Sequence, residues 1–224
     1  MPPAESHHVS HVLRLSAGDA VTVFDGRGNE YDATIARVAK SGITLNVGEA
    51  RKVDRESPLE VTLAQGISSG DRMDYTVQKA VELGIASIQP LATERSVVRL
   101  DPERAAKRVA HWQAIAIASC EQCGRNRVPQ VLAVKALTAW LGAPPPAVHR
   151  LTLAPGAALR LAELARPQGA IVLLAGPEGG LSPREREDAE GAGYTPVRLG
   201  PRVLRTETAA VAALAAMQTL WGDF

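Results

Sequence analysis

The chain has 224 residues, 46% hydrophobic and 22% charged, with a formal net charge of +1. That is an ordinary globular composition, long enough for one large or two small domains, and its near-neutral field points to neither a nucleic acid nor a membrane partner. Two cysteines, Cys120 and Cys123, make no disulfide framework and fit a reducing cytoplasm; the N-terminus lacks a signal-peptide pattern, and no apolar run reaches membrane-spanning length.

The first part reads as β. "AVTVFDG" alternates and ends in a turn signal, "NEYDATIARVA" follows Gly26-Arg27-Gly28, and "GITLNVG" follows Lys40-Ser41-Gly42. Short strands joined by glycine turns predict a small barrel over residues 1–57. Residues 58–224 alternate instead. "LEVTLAQ" reads as a strand, "DRMDYTVQKAVELG" as a helix stopped by Gly84, and "IASIQPL" as a strand. Asp101-Pro102 starts a long helix that ends at Gly124. "AVHRLTL", "AIVLLA" and "TPVRL" read as strands. Ser182-Pro183-Arg184-Glu185 is a capping box that opens a helix, and "TETAAVAALAAMQTLW" is a second one. Alternating β and α predicts an α/β fold with a parallel sheet covered on both faces.

Ligands of open parallel sheets bind beyond the carboxyl ends of the strands. Two loops qualify: Gly176-Pro177-Glu178-Gly179-Gly180 after "AIVLLA", and Gly200 to Thr206 after "TPVRL". Glycines let a ligand approach the main chain. The first loop carries neither a P-loop lysine nor a GxGxxG fingerprint, so a nucleotide phosphate is not its evident ligand. Alone, it is equally well a tight strand-to-helix turn; the second loop beside it favours a binding site. Thr206 and Glu207 also fit a helix start, as N-cap and first-turn acid. Cys120-Glu121-Gln122-Cys123 sits at a helix end, where the dipole does not favour thiolate, and no second pair completes a zinc site. His7, His8 and His11 lack a completing carboxylate or cysteine, so no metal is expected. Trp112 fits a core stripe with Val109 and Ala116. Between Glu94 and Arg127 seven Arg/Lys face four acids, a local basic excess that is equally a solvated helix face.

"GPEGGLSPRE" followed by "LGPRVLRTETA" resembles the C-terminal signature of the RsmE family, small-subunit ribosomal RNA uridine N3-methyltransferases of the SPOUT superfamily. "HVLRLSAGDAVTVFDGRGNEYDATI" resembles that family's PUA-like barrel, and "RMDYTVQKAVELGI", "ERSVV" and "EQCGRNRVP" its central blocks. The chain departs from the usual pattern at Cys123, where a small residue is common, and at Leu181, where an aromatic is common. The resemblance implies a SPOUT-type parallel-sheet domain with a deep trefoil knot, preceded by an RNA-binding PUA-like β-barrel. It implies S-adenosyl-L-methionine as cofactor, held by Leu174, Gly176, Pro177, Glu178, Gly179, Gly180, Leu199, Gly200, Leu204 and Thr206. Arg205 and Glu207 become the catalytic candidates. His11, Arg14, Lys79, Arg95, Arg99 and Arg125 become the RNA contacts. The implied enzyme is a cytoplasmic homodimer acting on small-subunit ribosomal RNA, within the assembled subunit. The alternatives are a SPOUT methyltransferase acting on ribose 2′-OH or on transfer RNA, and a non-catalytic RNA-binding assembly factor.

Overall fold

The structure is a computed structural model that describes residues 13, 15–39, 42–96 and 101–224. It separates into two units: 1–55 with 124–128, and 56–123 with 129–224. In the first unit, β1 (Ala20–Phe24), β2 (Asn29–Ala39) and β3 (Gly42–Lys52) form an antiparallel sheet in chain order. β3 runs past the "GITLNVG" read from sequence, pairing as far as Lys52 with Asn29. Ile35 and Ile43 form its small core, against Leu15, Val21 and Leu45.

The five residues 124–128 join this unit from far along the chain. Gly28 donates its N–H to the Asn126 carbonyl at 3.1 Å, and Val128 donates to the Gly26 carbonyl at 3.1 Å. The Asn126 side chain donates to the Val53 carbonyl at 2.6 Å and to Glu30 at 3.2 Å. Glu30 is buried, and Arg55 also pairs with its carboxylate. The Arg55 hydrogen bond, against the opposing cost of burial, holds the Glu30 carboxyl below its ordinary 4.5. A depressed carboxyl stabilises the fold above its unfolded value and loses that contribution as pH falls through the lower folded value. Glu30→Gln is therefore expected to lower the melting temperature at neutral pH. It should also flatten the acid limb below about pH 4.5; melts between pH 7 and 3 check both effects.

In the second unit, β4 (Val61–Gly66), β5 (Ser87–Ala92), β6 (Gln130–Val131), β8 (His149–Leu153), β9 (Ile171–Ala175) and β10 (Thr195–Val197) form a parallel sheet. Its order is β10-β8-β9-β4-β5-β6, with β7 (Lys135–Ala136) also on β5. All five residues of β9 are buried, as befits a central strand covered on both faces. Helix α1 (Asp71–Glu82) packs against both α2 (Pro102–Cys123) and α5 (Thr206–Trp221), and α5 lies on β9. Helices α3 (Leu137–Gly142) and α4 (Pro183–Gly191) cover the other face, with Leu137, Trp140, Leu181 and Ala189 packed on Val172 and Leu174. Strands β6 and β7 and helix α3 escape the sequence reading because two residues and six residues show no resolvable period.

The expected helix signals are physical. Ser182 accepts from the Glu185 N–H at 3.1 Å, Glu185 accepts from the Ser182 N–H at 2.9 Å, and Pro183 opens the first turn. Asp101 accepts from the Arg104 N–H at 2.8 Å ahead of α2. Trp112 is buried and donates to Asp74 at 3.1 Å, tying α2 to α1. Cys120 is buried and Cys123 half-buried at the end of α2, both as free thiols. Among the described residues, no helix is long and apolar enough to cross a membrane, and no group of three His, Cys, Asp or Glu could hold a metal ion.

Candidate active site

Three neighbouring strands, β8, β9 and β10, end beside one cavity of about 460 Å³. From β9 come Ala175 and the loop Gly176 to Leu181; from β10 come Val197 and the loop Arg198 to Thr206; from β8 come Leu153, Ala154 and Pro155. The first two loops are those expected from sequence. The third was not anticipated, although β8 also ends on this edge. Its shape depends on Arg198, whose guanidinium donates to the carbonyls of Ala157 and Ala158, the latter at 2.6 Å.

The loops are tied to each other beneath the cavity by Gln65, fully buried at the end of β4. Its amide donates to the Gly66 carbonyl at 2.9 Å, the Gly176 carbonyl at 3.2 Å and the Thr206 hydroxyl at 3.1 Å. Thr206 in turn donates to the Gly176 carbonyl at 2.6 Å. Thr206 is thus not the N-cap that a helix-start reading makes it. Arg205 occupies that position, without a side-chain cap, and the threonine hydroxyl joins the two loops instead. The backbones approach closely here. A Cβ on Gly66 would lie 2.6 Å from the nitrogen of Pro177, and one on Gly176 would lie 3.0 Å from the nitrogen of Leu181. The glycine loop closes on itself by a 2.8 Å bond from Gly180 N–H to the Pro177 carbonyl, with Gly180 at φ 65°.

Glu178 anchors the rim. One carboxylate oxygen accepts from the Ser69 N–H at 2.8 Å, the Ser69 hydroxyl at 2.7 Å and Arg72 at 2.9 Å. Burial works to raise its pKa, but these donors outweigh it and hold the carboxyl at about 2. By linkage this clasp is intact above the ordinary 4.5 and fades only as pH falls through about 2, so it stays charged across the working range. On the far side, Arg95 donates to the Gly179 carbonyl at 3.1 Å. The turn carrying Arg95 is held by Glu185, which accepts the Glu94 N–H at 2.8 Å while also serving the capping box.

Gly176, Pro177, Glu178, Gly179, Gly180, Leu199, Gly200, Leu204, Arg205, Thr206 and Glu207 all border the cavity. Leu174 does not line it. It packs in the core with Trp140 and Tyr194, on the opposite face of β9 from Ala175. Arg205 is exposed at the cavity edge, and one carboxylate oxygen of Glu207 is buried with no hydrogen-bond partner among the described residues. Of the expected RNA contacts, Arg95 is at the cavity. Lys79 holds Glu82 at 2.8 Å on α1. Arg125 is buried, 6% exposed. His11, Arg14 and Arg99 lie outside the described residues. Within the basic stretch, Arg104 and Lys107 pair with Asp101 and Glu103 along α2, the behaviour of a solvated face. Arg72, Arg186, Arg198 and Arg202 also border the cavity and were missed, because no local pattern marks them.

The family model of an RNA methyltransferase domain matches residues 55–218, and that of an RNA methyltransferase PUA domain matches residues 2–48. The chain belongs to the RsmE family of RNA methyltransferases. It is 33% identical to the ribosomal RNA small subunit methyltransferase E of Buchnera aphidicola over 97% of this chain and 89% of that one. It is likewise 33% identical to the Bacillus subtilis protein of that name, over 95% and 86%. The structure of the Neisseria gonorrhoeae family member bound to S-adenosyl methionine superposes with a TM-score of 0.92 at 46% identity, covering 100% of this chain and 92% of that one. A putative methyltransferase from Legionella pneumophila, in complex with the same cofactor, gives 0.95 at 40% identity with the same coverage. The family fold is therefore the parallel α/β unit described above, with the PUA-type unit before it.

Proposed function

We propose that this chain is an S-adenosylmethionine-dependent methyltransferase that modifies N3 of a uridine in small-subunit ribosomal RNA. The observation that carries the reading is the cavity built at three strand ends from two glycine-bearing loops, in a chain of an RNA methyltransferase family. The cavity fits the cofactor. Its size lies within the range of small-molecule sites. Main-chain donors and acceptors of 176–180 and 199–200 suit an adenosine, and Leu153, Val197, Leu199 and Leu204 supply apolar walls.

When bound there, S-adenosylmethionine supplies an already activated methyl group, so no metal is needed for the transfer. The work left to the protein is placement, proton removal and charge stabilisation. Gln65 and Thr206 fix the spacing of the two loops. Arg205, at the cavity edge, stabilises the negative charge that grows on the uracil carbonyl oxygens as N3 loses its proton. Glu207 offers a buried oxygen with free lone pairs to receive that proton. The base-pairing edge has to be accessible, so the uridine is unpaired or flipped out of its stack. The same reading takes the first unit as an RNA-binding barrel, the loops as part of the superfamily's trefoil knot, and the enzyme as a cytoplasmic homodimer. Calorimetric titration with S-adenosylhomocysteine tests the cofactor half: one site per chain is expected. A chain that binds RNA and none of this ligand would be an assembly factor instead.

A further inference from the structure

Among the described residues, six arginines border the cavity, Arg72, Arg95, Arg186, Arg198, Arg202 and Arg205, against only Glu178 and Glu207. Such an excess is out of place for a cofactor that carries a positive sulfonium, and it suits a polyanion entering from solvent. Several of these guanidiniums serve the loops: Arg95 holds Gly179, and Arg198 holds Ala157 and Ala158. Arg72 differs. It sits in the first turn of α1, its side chain 44% exposed, and only Nη1 is engaged, with the Ser69 hydroxyl at 3.1 Å and Glu178 at 2.9 Å. Nε and Nη2 have no hydrogen-bond partner among the described residues. The carboxylate that fixes Arg72 remains ionised at any working pH, so the guanidinium is held in one orientation before substrate arrives. Pre-organisation of this kind removes the ordering cost that a free arginine carries on binding.

We infer that Arg72, clasped by Glu178 and Ser69, grips a backbone phosphate of the RNA strand beside the target nucleotide. The inference rests on the methyltransferase reading of this cavity. A planar fork with one edge occupied still presents a second edge to two phosphate oxygens, which one ammonium cannot reproduce. Glu178 is then a positioning residue: it orients the arginine and does not itself touch the RNA.

The test measures binding of unmodified small ribosomal subunits as a function of salt, alongside S-adenosylhomocysteine affinity and a thermal melt. Arg72→Ala is expected to weaken RNA binding about tenfold or more, the scale of one charge-assisted contact. It should also reduce the slope of log affinity on log salt by about 0.7 to 0.9, one phosphate's share. Arg72→Lys keeps the charge and should fall between wild type and alanine, which guards against misreading a folding defect. Affinity for S-adenosylhomocysteine should fall by less than RNA affinity, because Glu178 keeps both of its Ser69 donors. An unchanged slope in a folded Arg72→Ala protein overturns the inference. So does a loss confined to S-adenosylhomocysteine, which would place Arg72 on the cofactor's carboxylate. Wild-type protein without S-adenosylhomocysteine binding would overturn the methyltransferase reading instead, and the salt slope would still decide the role of Arg72.

Discussion

Arg205→Ala is expected to lower turnover by about a hundredfold or more while leaving S-adenosylhomocysteine affinity nearly unchanged. Arg205 is the N-cap of α5, but it caps through its backbone alone, with its carbonyl accepting the Ala209 N–H at 2.8 Å. Removing an exposed side chain there leaves that bond in place, so the melting temperature should move little. What is lost is a cation beside the developing uracil anion, an interaction stronger in the transition state than in the ground state. Lysine should rescue little, because it lacks the fork. Glu207→Gln separates the two roles open to its neighbour. As base, the glutamate's loss leaves a slow enzyme whose rate climbs with pH as the substrate deprotonates unaided. As a first-turn charge alone, its loss lowers stability by up to about 1 kcal/mol with nearly normal turnover. Single-turnover rates across pH, with cofactor affinity measured in parallel, distinguish these outcomes. Wild-type turnover in Arg205→Ala would remove it from the chemistry.

Gly176→Val should weaken cofactor binding by at least about tenfold, since overpacking a tight site costs about 1–3 kcal/mol. The crowding is against backbone: the added Cβ would lie 3.0 Å from the Leu181 nitrogen and 3.1 Å from the Gly180 carbonyl carbon. Neither can swing aside as a side chain could. The same residue's carbonyl receives both Gln65 and Thr206, so a shift here also disturbs the tie between the loops. The contrast is Gly179, where a Cβ would meet the Cβ of Arg95 at 3.0 Å and where the residue is exposed. A valine there first displaces the Arg95 turn, and should cost less cofactor affinity than valine at Gly176. Titration of both variants with S-adenosylhomocysteine, with melts to confirm folding, gives the order; equal and normal affinities would detach the glycine loop from the site.

The alternation of strands and helices, the Ser182 capping box and the two glycine loops were legible in the sequence because each is a local pattern. A strand end, a proline at a first helical turn and a glycine run lie within a few residues of one another. The clasps that give the site its shape are not local. Gln65 reaches Thr206, and Ser69 and Arg72 reach Glu178, across more than a hundred residues of chain. No spacing rule connects them. The side to which Leu174 points was not legible, for a related reason. A strand buried on both faces is apolar throughout, so "AIVLLA" carries no alternation to say which side chains face the cavity. Residues 124–128 were assigned by chain order to the second domain, and only their hydrogen bonds to Gly26, Gly28 and Val53 reveal that they complete the first.

Incubation of the protein with S-adenosylmethionine and unmodified small ribosomal subunits measures the methyl transfer itself. Free small-subunit RNA is run in parallel, and the digested nucleosides are identified by mass spectrometry. One N3-methyluridine per RNA is expected, formed in the subunit and abolished or strongly reduced by Arg205→Ala. A methyl group found on ribose, or no methylated nucleoside from a protein that binds both cofactor and subunit, would contradict it.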